Sequence, residues 1–73
     1  MNNDQRYTLL AIVRGDVDPA TIPSREMQRL QLATYNSYTG TVRDVILDIL
    51  KGLTIPSLLS ETAKTRLVRT ILL

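Results

Sequence analysis

Hydrophobic residues recur at helical spacing along much of the chain, and the pattern is clearest from residue 41 to residue 53. There, apolar residues three and four positions apart form one stripe, which is typical of an amphipathic helix. The residues of this stripe are Val42, Val45, Ile46, Ile49, Leu50 and Leu53. Thr41 or Thr39 can cap the start of the helix, and Gly52 ends it. Leu47 lies at the margin of the stripe.

A second amphipathic helix is predicted from about residue 25 to residue 37. Ser24 directly follows a proline and is a suitable N-cap, and Met27, Leu30 and Tyr38 recur at helical spacing. Arginine and glutamine occupy most of the intervening positions, which indicates a solvent-facing side. The end of this helix is expected to fray, because it is rich in poor helix formers.

The first helix is predicted over Gln5–Arg14, with Asn3 or Asp4 as its cap and Gly15 at its end. Its apolar residues are nearly continuous from position 7 to position 13. Periodicity alone does not distinguish a buried helix from a buried strand in such a run. The cap, the glycine and the length of about ten residues favour a helix, and a strand over residues 7–13 stays open.

The fourth helix is expected to begin at Ser60 and Glu61 and to run to the chain end. Ala63, Leu67 and Ile71 line one of its faces. The basic residues of this helix lie outside that apolar set, so the helix is expected to be amphipathic and cationic.

The links between these segments are short and rich in turn-forming residues. Asp18-Pro19 and Pro56 can each open a single helical turn. Consecutive helices with short connections pack against one another. The sequence therefore predicts an all-α fold, a small bundle of four short helices joined by short loops, with residues 1–73 forming one domain.

The composition excludes several classes of chemistry. The chain contains no Cys and no His, which excludes disulfide scaffolds, Cys or His metal sites and histidine acid–base mechanisms. None of the three glycines belongs to a phosphate-binding loop. Asp44 and Asp48 share a helix face, but flanking cations make a solvated surface the better interpretation. We therefore expect a protein that is not an enzyme and needs no cofactor, metal or small-molecule substrate.

The size and hydropathy of the chain bear on its location and its assembly. No apolar run reaches the ~18–20 residues of a membrane span, and no signal peptide is recognisable, so a cytoplasmic location is expected. A chain of 73 residues with three aromatic residues buries only a modest core. Because no disulfide staples the fold, a homo-oligomer such as a homodimer, or a partner-bound state, is expected.

Protein binding is the leading functional hypothesis. Leucines on the second and third helices do not fit a single core stripe, and surplus apolar area on a small domain is typical of an association surface. Arginine and tyrosine, which are favoured at interface hot spots, lie on the second helix. The candidate protein-binding residues are Arg25, Arg29, Leu32, Tyr35, Tyr38 and Leu47. The expected role is that of a small adaptor, assembly factor or inhibitor.

The alternative is a small dimeric regulator that binds nucleic acid. The formal charge of +2 is unevenly distributed, because residues 51–73 hold four cations and one acid while residues 1–50 hold a slight excess of acids. The candidate phosphate-binding residues are Lys64, Arg66 and Arg69 on the fourth helix. The same cations also suit the dipole at a helix C-terminus, so both interpretations stay open.

Overall fold

The computed structural model describes all 73 residues, and its regular secondary structure is entirely helical. The four helices are α1 (Asn3–Arg14), α2 (Ser24–Ser37), α3 (Gly40–Leu50) and α4 (Glu61–Leu72). Single 3-10 turns at Pro19–Thr21 and Pro56–Leu58 interrupt the two longer links, as the prolines predict. The fold is all-α, and residues 7–13 lie within α1, so the strand alternative is wrong. None of the four α-helices combines the length and the hydropathy that a membrane span requires.

A reciprocal capping box begins α1 earlier than the sequence pattern suggests. The Asn2 Oδ1 accepts a hydrogen bond from the Gln5 N–H at 2.8 Å, and the Gln5 Oε1 accepts one from the Asn2 N–H at 3.1 Å. This pair satisfies two amide groups that would otherwise lack partners. The predicted caps, Asn3 and Asp4, therefore lie inside the helix. Gly15 ends α1 in the left-handed conformation, as predicted.

The other helix starts differ in how they are capped. The Ser60 Oγ accepts a hydrogen bond from the Ala63 N–H at 3.1 Å, which confirms Ser60 as the N-cap of α4. Ser24, in contrast, is the first residue of α2, and Pro23 occupies the N-cap position without a side-chain hydrogen bond. The predicted cap at Ser24 is therefore wrong. The Thr39 side chain also makes no capping bond at the start of α3.

This contrast between two serines gives a direct test. Ser60→Ala is expected to lower the free energy of unfolding by about 1 kcal/mol, because it removes an acceptor for an end amide of α4. Ser24→Ala is expected to change it by less than about 0.5 kcal/mol, because that hydroxyl caps nothing. Urea titrations followed by circular dichroism measure both values. A larger loss for Ser24→Ala than for Ser60→Ala would contradict the two helix starts.

The helices form two antiparallel pairs. The end of α1 lies beside the first part of α4, while Met1 and Arg6 lie beside the last turn of α4. A two-residue turn reverses the chain between α2 and α3, and the start of α2 shares a cavity with the end of α3. The first half of α1 also lies against α2. The α1 helix is therefore in contact with all three other helices.

Ten aliphatic side chains from all four helices form one core. They are Leu9, Leu10, Ile12, Val13, Leu30, Ile46, Ile49, Leu50, Leu67 and Ile71. Four of them belong to α1, which explains why its apolar residues are nearly continuous in sequence. Thr34 is the one buried polar residue, and its Oγ1 donates a hydrogen bond to the Leu30 carbonyl at 2.8 Å. The core therefore buries no unsatisfied side-chain oxygen.

The chain turns away from the hydrophobic core after the end of α3. The sequence pattern predicts that Leu53 continues the apolar stripe of this helix, and this prediction is wrong. The helix ends at Leu50, Gly52 adopts a φ of +77°, and the Leu53 N–H donates to the Asp48 carbonyl at 2.9 Å. This turn points the Leu53 side chain into solvent, where it is 73% exposed.

Candidate protein-interaction surfaces

Four of the predicted binding residues lie together on the exposed side of α2. Arg25, Arg29, Leu32 and Tyr35 follow one another at spacings of three and four residues, so they form one stripe, called the α2 face below. Leu32 is 62% exposed and Tyr35 is 56% exposed. The two salt bridges of the structure lie elsewhere, so neither arginine of the α2 face is engaged in one.

Tyr35 is held against α3 by a stacked arginine. The guanidinium carbon of Arg43 lies 4.6 Å from the centre of the Tyr35 ring, within the range of a cation–π interaction. The Arg43 Nε also lies 3.7 Å from the Asp44 Oδ1. Leu47 follows Arg43 by one turn, so it lies on the margin of α3 that meets α2. Leu47 is half-buried there, at the border of the α2 face.

Tyr38 does not belong to this surface. It is half-buried at the C-terminal end of α2, where it packs against the core and lines a cavity of about 350 Å³ with Met1 and Arg6. Its hydroxyl donates to the Met1 Sδ at 4.0 Å. Burial raises the pKa of Tyr38, and the positive charge of Arg6 opposes this rise in part. The structure therefore places Tyr38 in the packing between α1, α2 and α4, apart from the α2 face.

A second apolar surface lies on the link between α3 and α4, and it is absent from the predicted site. Three large aliphatic side chains within six residues are more than half exposed. They are Leu53 at 73%, Ile55 at 52% and Leu58 at 75%, and they are called the linker patch below. The available sequence signal is the density of large apolar residues in a segment that contains a proline and follows Gly52.

The predicted phosphate-binding cations are only partly brought together. Lys64 and Arg69 line a groove of about 320 Å³ between α1 and α4, called the α1–α4 groove below. Its complete lining is Val13, Arg14, Glu61, Lys64, Thr65, Val68 and Arg69. Arg66 is exposed but lies outside it, because it points about 160° away from Lys64 around the helix axis. Arg14, distant in sequence, supplies the third cation instead.

Two other features of the molecule are its carboxylates and its remaining cavities. No three carboxylates come close enough together to hold a metal ion. The remaining cavities are open surface depressions. The largest, about 500 Å³, lies between the start of α2 and the end of α3 and is lined by both polar and apolar side chains. The distinctive features of the surface are therefore the α2 face, the linker patch and the α1–α4 groove.

Comparisons with protein-family models, with curated proteins and with solved structures found no match to this chain. The functional inference therefore depends on the three surfaces and on their physical chemistry.

Proposed function

We propose that this protein is a small, non-enzymatic interaction module of the cytoplasm. It binds another protein, a second copy of itself, or both. It would act as an adaptor, an assembly factor or an inhibitor by occupying a surface of its partner. The observation that carries this proposal is the linker patch, in which three large aliphatic side chains are more than half exposed within six residues. The cytoplasmic location continues the expectation drawn from the sequence.

The energetics of apolar surface support this function. Burying apolar area yields roughly 25 cal/mol per Å², so a partner that covers Leu53, Ile55 and Leu58 gains affinity from each of them. Contiguous exposed apolar patches on small proteins are typical of interaction sites. The α2 face adds Arg25, Arg29 and Tyr35, whose side-chain types are enriched at binding hot spots.

The test compares three forms of the tagged chain in native lysate. The wild type, the double variant L53S/L58S and the control Tyr7→Ser are each used to capture partners, with and without nuclease. Tyr7 is 66% exposed on α1, so its replacement also removes exposed apolar area but leaves the linker patch intact. A second, differently tagged copy of the chain in the lysate reports self-association.

The proposal predicts a protein, or the second copy, that is captured stoichiometrically by the wild type and by Tyr7→Ser after nuclease treatment. L53S/L58S is expected to lose it. If L53S/L58S captures the same partners as the wild type, the linker patch is not part of the binding surface. Recovery of nucleic acid, with protein partners lost after nuclease, would replace the proposal by the nucleic-acid alternative.

A further inference from the structure

The α1–α4 groove concentrates the positive charge of the molecule. Its lining holds three cations against the single carboxylate of Glu61, a balance of +2. This balance equals the formal charge of the whole chain, so the rest of the protein is neutral on balance. The Lys64 Nζ lies 3.4 Å from the Glu61 Oε1, which pairs these two groups. Arg14 and Arg69 form no salt bridge, and their guanidinium groups are available to a ligand.

The same groove has apolar walls. The half-buried Val68 lines it together with the aliphatic stems of its Arg and Lys side chains, while Val13 lies fully buried at its base. A volume of about 320 Å³ is at the lower limit of small-molecule sites, and the groove is open to solvent. It is therefore suited to one inserted aliphatic side chain with charged groups beside it, rather than to an enclosed metabolite.

We propose that the α1–α4 groove binds an acidic segment of a partner protein. In that segment, an aliphatic side chain lies against Val68, and carboxylates beside it reach Arg14 and Arg69. Arginine forms charge-assisted hydrogen bonds with carboxylates and can hold them in bidentate geometry. The inference rests on the proposed function, because it names the chemistry of one partner segment for a protein-binding module.

The groove chemistry favours a protein ligand over nucleic acid. The apolar part of the groove lining contributes nothing to contacts with phosphates. Single-stranded nucleic acid is commonly held by bases stacked on aromatic rings. None of the three aromatic residues of the chain, Tyr7, Tyr35 and Tyr38, lines this groove.

The test is selection of a displayed library of random peptides, twelve residues long, on the immobilised full-length protein. Enriched peptides are expected to carry Asp or Glu on both sides of Leu, Ile or Val. A fluorescent form of the best peptide is then titrated against the wild type, R14S/R69S and the control K51S/R66S. The control removes two exposed cations that lie outside both the α1–α4 groove and the α2 face, so the change in net charge is identical.

R14S/R69S is expected to weaken peptide binding about tenfold, while K51S/R66S leaves it within about twofold. Three results would overturn the proposal. The first is a selection that enriches no peptides, or only peptides without acidic residues. The second is an equal loss of peptide affinity in both double variants. The third is a peptide affinity that R14S/R69S leaves unchanged. A fluorescent oligonucleotide, single-stranded or duplex, that binds more tightly than the peptide and depends on Arg14 and Arg69 would assign the groove to nucleic acid instead.

The two proposals fail in distinguishable ways. Lysate capture that depends on Leu53 and Leu58, combined with no effect of R14S/R69S on selected peptides, rejects the groove assignment and keeps the interaction module. Loss of all nuclease-resistant protein capture rejects the module itself. Circular dichroism of each variant verifies that the helices are intact before either result is interpreted.

Discussion

Replacing Ile46 by alanine is expected to remove a large part of the folding free energy of this protein. Ile46 is fully buried on α3, within the single core that all four helices share. Shortening a buried isoleucine to alanine costs about 2–5 kcal/mol, because apolar contacts are lost and a cavity remains. A domain of 73 residues has a total stability of about 4–11 kcal/mol. We therefore expect a strong drop in the urea midpoint and partial unfolding near body temperature.

Two further variants make the measurement specific. Ile46→Val removes one methylene group and should cost only about 0.5–1.5 kcal/mol, so the loss should grow with the number of atoms deleted. Leu72→Ala shortens a side chain that is 54% exposed on α4, and it should cost much less than Ile46→Ala. Equal losses for Ile46→Ala and Leu72→Ala would show that Ile46 does not occupy the core described above.

The way in which each helix contributes to the core explains which parts of the fold can be predicted from the sequence. The stripe of α3 predicts its buried residues because a helix at a protein surface buries one face only. The α1 helix lies centrally and buries more than one face, so its sequence shows no clear apolar stripe. Leu9, Leu10, Ile12 and Val13 are all buried, so neither a helical nor a strand period stands out. The apolar run is explained by the tertiary structure, because the neighbouring helices pack on several sides of α1.

Helix boundaries depend on competition between adjacent residues of similar propensity. Asn2, Asn3 and Asp4 are all good N-caps, and composition alone does not rank them. The reciprocal bonds between Asn2 and Gln5 decide the outcome. At the start of α2, Ser24 is a residue type that often caps helices, but it lies one position after the N-cap, which is Pro23.

The candidate surfaces show a similar division. The α2 face is recovered from sequence because its residues share one helix and follow from helical spacing. The α1–α4 groove is not, because Arg14 and Lys64 meet only through the packing of α1 against α4. The packing of Tyr38 is also not evident from sequence, because its position at the end of α2 does not reveal that Met1 and Arg6 lie beside it.

Replacement of Gly15 at the end of α1 is expected to give stability changes of opposite sign for the two mirror forms of alanine. Gly15 has a φ of +84°, and its N–H donates to the Ile12 carbonyl at 3.0 Å. The following Asp16 N–H donates to the Ala11 carbonyl at 2.9 Å, so this turn satisfies two carbonyls in the last turn of α1. A Cβ atom at position 15 would meet no other atom within 4 Å. Any effect of alanine therefore comes from the backbone conformation and not from a clash.

L-Alanine at this position is expected to lower the free energy of unfolding by about 1–2 kcal/mol, because the left-handed region is unfavourable for L-residues. D-Alanine prefers positive φ and restricts the unfolded chain, so it is expected to raise this free energy by about 0.4–1 kcal/mol. Chain assembly by peptide ligation provides both variants, and urea titration compares them with the wild type. Because the two side chains are identical in composition, hydrophobicity cannot produce a difference between them. Equal shifts for L- and D-alanine would therefore rule out the left-handed end of α1.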